Sequence, residues 1–315
     1  MHFESVYDAS TLELYEIPDF AHENISSVTI TEYYIEKAIK KLNTQTSPGP
    51  DGIHSIFITK CQNSLVKIYE HIFNSSIKSG RYPKAWKSSY VISVYKNGNV
   101  NEITNYRPIS ILNASAKIFD MIIYGKLSLS LQNYIIPEQH GTIAKRSTLS
   151  NLLIFNEFIA ESLVDETEIL AIYTDFQKAF DKVNHKLLIH KLSKYGFVGN
   201  ILSWLLSYVT DRVHTICENK NYISQPIFPS SGLPQRSHLS APLFNIFIND
   251  IKMCIESSNF LLYIDDLKIF RKIESPNDYN YIKNDLLNSE SWTIRNNLLF
   301  NPFKSYFIFE EIKKM

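Results

Sequence analysis

Two adjacent aspartates, Asp265 and Asp266, interrupt an otherwise apolar run, Phe260-Leu261-Leu262-Tyr263-Ile264-Asp265-Asp266-Leu267-Lys268-Ile269-Phe270. Neighbouring side chains of a regular strand point to opposite faces. The two carboxylates can therefore serve one site only where the chain turns. A hairpin with its tip between residues 260–264 and 267–270 meets that condition. Like charges this close repel and raise each other's pKa unless a cation lies between them. A solvated turn also accounts for the pair, because Asp is a common turn residue. The rest of the chain decides between the two readings.

With 315 residues, 44% hydrophobic and 20% charged, the chain has ample material for a core and a length suited to roughly two domains or lobes. Lys+Arg and Asp+Glu are both 32, so a nucleic-acid partner has to be held by a local basic surface rather than a global positive field. Cys61, Cys217 and Cys254 are far apart and odd in number, which excludes a metal-ligand spacing and a disulfide framework and favours a reducing compartment. Residues 1–20 carry Glu4, Asp8, Glu13, Glu16 and Asp19 and no Lys or Arg, unlike a targeting peptide. No apolar run approaches a membrane span. The expected location is intracellular, in nucleus or cytoplasm, with no membrane partner.

The pattern predicts an extended lead-in over 1–27 and a capping box at Thr29-Ile30-Thr31-Glu32 opening a helix to about Leu42. Ser47-Pro48-Gly49-Pro50-Asp51-Gly52 reads as a shaped loop. Helices are expected near 63–78, ending at Gly80, and near 114–131, 147–163, 186–194, 200–209, 240–254 and 278–297. Strands are expected at 89–95, 168–175, 213–217, 222–228 and 306–309, besides the double-Asp hairpin. Helices and strands mix without a strict βαβ repeat, which predicts an α+β fold with an antiparallel sheet.

The strand Glu-Ile-Leu-Ala-Ile-Tyr-Thr-Asp ends in a carboxylate, Asp175, 90 residues before Asp265. If the two strands are neighbours in one antiparallel sheet, three carboxylates meet at one end. Mg²⁺ is usually held by a few carboxylates, with water and phosphate oxygens completing its shell. Two such ions suit in-line phosphoryl displacement.

Further motifs follow in order. They are Ser47-Pro48-Gly49-Pro50-Asp51-Gly52, Asn105-Tyr106-Arg107-Pro108-Ile109-Ser110, and Glu138-Gln139-His140-Gly141 with Arg146-Ser147-Thr148. Then come Tyr173-Thr174-Asp175-Phe176 with Lys178-Ala179-Phe180-Asp181, Ser231-Gly232-Leu233-Pro234-Gln235, Tyr263-Ile264-Asp265-Asp266, and Leu298-Leu299-Phe300-Asn301-Pro302-Phe303-Lys304. In this series the chain resembles the reverse transcriptase domain of non-LTR retrotransposons, most closely the jockey-like group.

The resemblance implies an RNA-directed DNA polymerase that joins dNTPs to a primer 3′-hydroxyl on an RNA template. It implies two Mg²⁺ ions, with Mn²⁺ as a possible substitute. The implied architecture is a right hand, with mainly helical fingers over 28–166 and a palm over 167–315. Asp175, Asp265 and Asp266 would hold the metal, with the Phe176 carbonyl within reach of it. Phe180 would lie under the incoming sugar and select deoxynucleotides, although a plain core residue is the alternative. Arg107 would pair with the triphosphate and Gln235 would lie near the nucleotide. Lys304 would protonate the leaving pyrophosphate. Lys145 and Arg146 are weaker candidates for phosphate or template contact, and His140 and His185 fit structural roles.

The chain departs from the family pattern in several places. Arg236 stands where Gly usually follows Pro-Gln, Ile264 where Ala is common, and Thr142 where Phe follows Gly141. The chain also ends soon after Phe309, before a thumb, and begins without room for the endonuclease that usually precedes the fingers. The alternative expectation is therefore an inactive, truncated remnant with at most weak nucleic-acid binding.

Overall fold

The computed structural model describes residues 15–21, 23–218 and 222–310. Two compact units interleave along the chain, one from Met1–Leu131 and Asn184–Leu243, the other from Gln132–Val183 and Phe244–Met315. The lobes expected from sequence were consecutive, whereas the chain passes between these units three times.

Residues 1–14 of the expected lead-in lie outside the described residues; in the rest, Ile17 is buried and Phe20 stacks on Tyr195 at 4.9 Å. Helix α1 (Glu32–Lys40) buries Ile35, Ala38 and Ile39 on one face. Its N-cap is Thr31, whose side chain makes no capping bond, so the capping box expected from Thr29 does not form. A short helix absent from the sequence reading, α2 (Ser55–Lys60), precedes α3 (Gln62–Ser79). Gly80 closes α3 at φ 64°, the left-handed cap that glycine adopts without a Cβ clash.

Strand β1 (Ser88–Tyr95) pairs with β2 (Tyr106–Leu112). β2 is not among the expected strands, and it contains Pro108, which has no N–H for a ladder. It is tolerated since β2 lies at the sheet's edge. Helix α4 (Ala114–Tyr134) follows, then α5 (Thr148–Val164). A reciprocal capping box fixes the start of α5: Ser150 N donates to Ser147 Oγ at 3.3 Å, and Ser147 N donates to Ser150 Oγ at 2.8 Å.

After β3 (Glu168–Asp175) come α6 (Ala179–Lys182), α7 (His185–Lys194) and α8 (Gly199–Val209). Strands β4 (Val213–Glu218) and β5 (Tyr222–Ile223) follow, and the turn residues 219–221 lie outside the described residues. β5 is far shorter than expected. Ser224 Oγ accepts from Ile216 N at 2.9 Å, and Pro226 has no N–H to continue the ladder. Helix α9 (Ser240–Ile248) runs into a 3₁₀ segment, Asn249–Cys254. Strands β6 (Asn259–Tyr263) and β7 (Asp266–Ile273), helix α10 (Pro276–Arg295) and strand β8 (Tyr306–Glu310) complete the order.

The first unit carries the sheet β2-β1-β4-β5. β1 and β4, for which no pairing was expected, pair in parallel. They are far apart in the chain, so no hairpin dictates their direction. Its core is aromatic: Phe73 stacks on Phe119 at 4.4 Å, and Trp204 on Tyr208 at 5.5 Å. The second unit carries a fully antiparallel sheet, β6-β7-β3-β8. Phe155 of α5 packs with Ala171, Leu261 and Phe270 against this sheet. Burying each such aromatic contributes about 1.5–3 kcal/mol. The fold is therefore α+β. Among the described residues, no helix is long and apolar enough to cross a membrane.

Candidate active site

β3 is an inner strand of its sheet, paired with β7 on one side and β8 on the other. Its ladder with β7 runs from Glu168↔Ile273 to Asp175↔Asp266, so the last residue of β3 faces the first of β7. Directly opposed residues of an antiparallel pair share a sheet face, with Cα atoms about 4.5–5.5 Å apart. The β6–β7 hairpin closes on Tyr263↔Asp266, which leaves Ile264 and Asp265 as a two-residue loop. The three expected carboxylates thus meet at one sheet end, with Asp265 in the loop and Asp266 already in the strand.

Lys304 reaches the same place. Its Nζ makes an ion pair with Asp175 Oδ2. The segment before β8 is tied to the end of β3: Asn301 N donates to the Asp175 carbonyl at 2.6 Å, and Gln177 N to the Leu299 carbonyl at 2.8 Å. Burial pushes the Asp265 carboxyl up to about 6, and the charges of Asp266 and Asp175 push the same way. Its own backbone N–H and Lys304 oppose the shift. Asp266 is raised by desolvation and by Asp175. Carboxylates that raise one another in this way are relieved by a cation.

Among the described residues, no three Asp, Glu, His or Cys side chains already form a metal cage. The donor set still fits Mg²⁺, which takes one or two carboxylates and leaves its other positions to water and substrate phosphates. The Lys304 ammonium shows that a cation is accommodated at Asp175.

Phe176 is buried, its ring stacked on Phe300 at 5.1 Å. Phe180 is half-buried and stacks on Phe244 at 4.6 Å, which leaves part of its ring open. Lys145 is exposed at φ 66°. Arg146 is engaged by the backbone: its Nη1 lies 2.9, 3.1 and 2.6 Å from the carbonyl oxygens of Ile136, Pro137 and Gln139. His140 Nδ1 lies 2.7 Å from Ser150 Oγ.

Arg107 and Gln235 belong to the other unit, Arg107 exposed on β2 and Gln235 half-buried. In that unit His185 Nε2 donates to the Gly232 carbonyl at 2.7 Å. Arg236 is exposed at φ 63°, the left-handed region that favours glycine. Gln139, quoted in a motif but given no role there, touches the double-Asp loop directly.

Comparison with known proteins gives the family. The family described as reverse transcriptase (RNA-dependent DNA polymerase) matches residues 94–314, more than half of the chain. The chain belongs to the reverse transcriptase family. Three relatives illustrate the similarity. "Probable RNA-directed DNA polymerase from transposon BS" of Drosophila melanogaster is 29% identical over 76% of this chain and 26% of its own length. "RNA-directed DNA polymerase from mobile element jockey" of the same species is 28% identical over 80% of this chain and 28% of its own. A retrovirus-related Pol polyprotein from a type-1 retrotransposable element of Popillia japonica is 23% identical over 68% and 29%. This reverse transcriptase chain therefore spans about a quarter to three-tenths of the length of these relatives. All the reverse transcriptase motifs from Asn105 onward lie within the matched span.

Proposed function

We propose that this chain is an RNA-directed DNA polymerase domain that extends a primer 3′-hydroxyl with dNTPs on an RNA template. The observation that carries the reading is the Asp175↔Asp266 cross-strand pair with Asp265 in the adjoining loop. The unit built on this sheet takes the palm role, and the unit bearing Arg107 takes the fingers role.

Asp175, Asp265 and Asp266 hold the divalent cations, Mg²⁺ or Mn²⁺. When bound, the cations activate the attacking oxygen and stabilise the leaving one. The open part of the Phe180 ring lies under the deoxyribose and leaves no space for a 2′-hydroxyl. The Arg107 guanidinium pairs with the triphosphate, a role that its exposed position supports. Gln235 lies beside the nucleotide. Lys304 holds a proton on Nζ for the departing pyrophosphate, as its ion pair with Asp175 supports.

The test is primer extension on a primed RNA template. Incorporation should require a divalent cation, and Asp265→Asn should reduce it by at least about a thousandfold. Incorporation that Asp265→Asn leaves intact contradicts the reading. A second reading, a folded scaffold that no longer turns over, is favoured by Arg236, a side chain held at positive φ directly after the Pro234-Gln235 pair. It predicts no incorporation by the native chain and none in Arg236→Gly.

A further inference from the structure

Residues 138–142 run alongside the β6–β7 hairpin. The Glu138 carbonyl accepts from Leu262 N at 2.9 Å, and His140 N donates to the Leu262 carbonyl at 2.9 Å. Gln139, between them, is 1% exposed. Its carboxamide reaches the loop. Oε1 accepts from Ile264 N and from Gly141 N, each at 2.8 Å, and Nε2 donates to the Ile264 carbonyl at 3.1 Å. Gly141 comes so close to Ile264 that a Cβ would collide with it. The clamp is itself held: Asn245 Nδ2 donates to the Gly141 carbonyl at 3.0 Å.

Ile264 stands at φ 59°. A β-branched residue disfavours this region, and two-residue hairpin loops place glycine or asparagine at such positions. The loop therefore does not choose this conformation by local preference. Gln139 satisfies both backbone polar groups of Ile264 with one side chain. Relaxing Ile264 to negative φ would break both bonds and redirect Asp265.

We propose that Gln139 is a positioning residue for the carboxylate site: its carboxamide holds Ile264 left-handed and so sets Asp265 beside Asp175 and Asp266. The kinetic consequence rests on the polymerase reading, and the structural consequence rests on geometry alone. The test compares Gln139→Met, Ile264→Gly and the double variant by hydrogen exchange at residue 264 and by dNTP incorporation.

Gln139→Met should speed exchange at residue 264 by about tenfold or more. It should lower kcat, counted per folded molecule, by about tenfold with the dNTP KM within about twofold. Glycine takes positive φ unaided, so in the Ile264→Gly background the same substitution should lower kcat by less than about threefold. Equal losses in both backgrounds, or unchanged exchange in Gln139→Met, would overturn the proposal. If Gln139→Met does not fold, a folded double variant supports it and an unfolded one contradicts it. A native chain without incorporation defeats the polymerase reading alone, and exchange then decides the clamp.

Discussion

Arg236 and Asp120 show what single residues contribute outside the carboxylate cluster. Arg236 is exposed and held at φ 63°, where any L side chain is strained and glycine is not. Arg236→Gly should therefore raise stability by about 1 kcal/mol in urea denaturation, and a clear loss would show that its side chain holds the loop. Asp120 is buried, with Tyr208 Oη 3.3 Å from its Oδ2. Tyr208 Oη also lies 2.5 Å from Ser237 Oγ, one residue beyond Arg236. Burial pushes Asp120 up to about 6, against the pull of Ser237, Arg212 and Tyr208. Burial and Arg212 bring His214 down to about 4. The raised Asp120 contributes stability that is full below roughly pH 4 and lost as pH rises through its folded pKa. The depressed His214 contributes stability that is full above roughly pH 6.5 and lost as pH falls through its folded pKa. The two slopes oppose each other across that window. Asp120→Asn removes one of the slopes that oppose the histidine, so the gain in urea midpoint from acid to neutral pH should be larger than in the native chain. An equal gain would contradict the Asp120 assignment.

At the scale of elements, the β3 strand, the hairpin and most long helices were legible because hydrophobic period and caps agree locally. The double-Asp hairpin is bounded by apolar runs that are buried residue after residue, and Ser147 and Gly80 mark helix ends by their own chemistry. β2 carries Pro108, which its edge position permits, and β5 stops short of the expected strand, with pairing resuming only at the Ile227–His214 bridge beyond Pro226. Arg146 carries a lesson of the same kind. Its charge suggests phosphate, but its guanidinium is engaged by three carbonyls that shape the segment leading to Gln139. Arg146→Met should lower stability by about 1–3 kcal/mol in urea denaturation, through acceptors left without donors. Unchanged stability together with weaker RNA binding would return Arg146 to the phosphate role.

For the whole molecule, the motif order carried the family, and the antiparallel ladder supplied the meeting of Asp175 with Asp265 and Asp266 that spacing alone left open. The interleaving of the two units and the parallel β1–β4 pair were not legible, since both depend on contacts between distant segments. The Gln139 clamp was hidden for the same reason: its partner Ile264 is 125 residues away. In the polymerase reading the ends of β3 and β7, with the loop between β6 and β7, form one cation site. A Mn²⁺ titration in the presence of dNTP, followed by electron paramagnetic resonance, tests it most directly. Asp175→Asn and Asp265→Asn should each weaken Mn²⁺ binding by at least about tenfold, and together by little more, because they share a site. Native-like Mn²⁺ affinity in both single variants, or strictly additive losses, would contradict it.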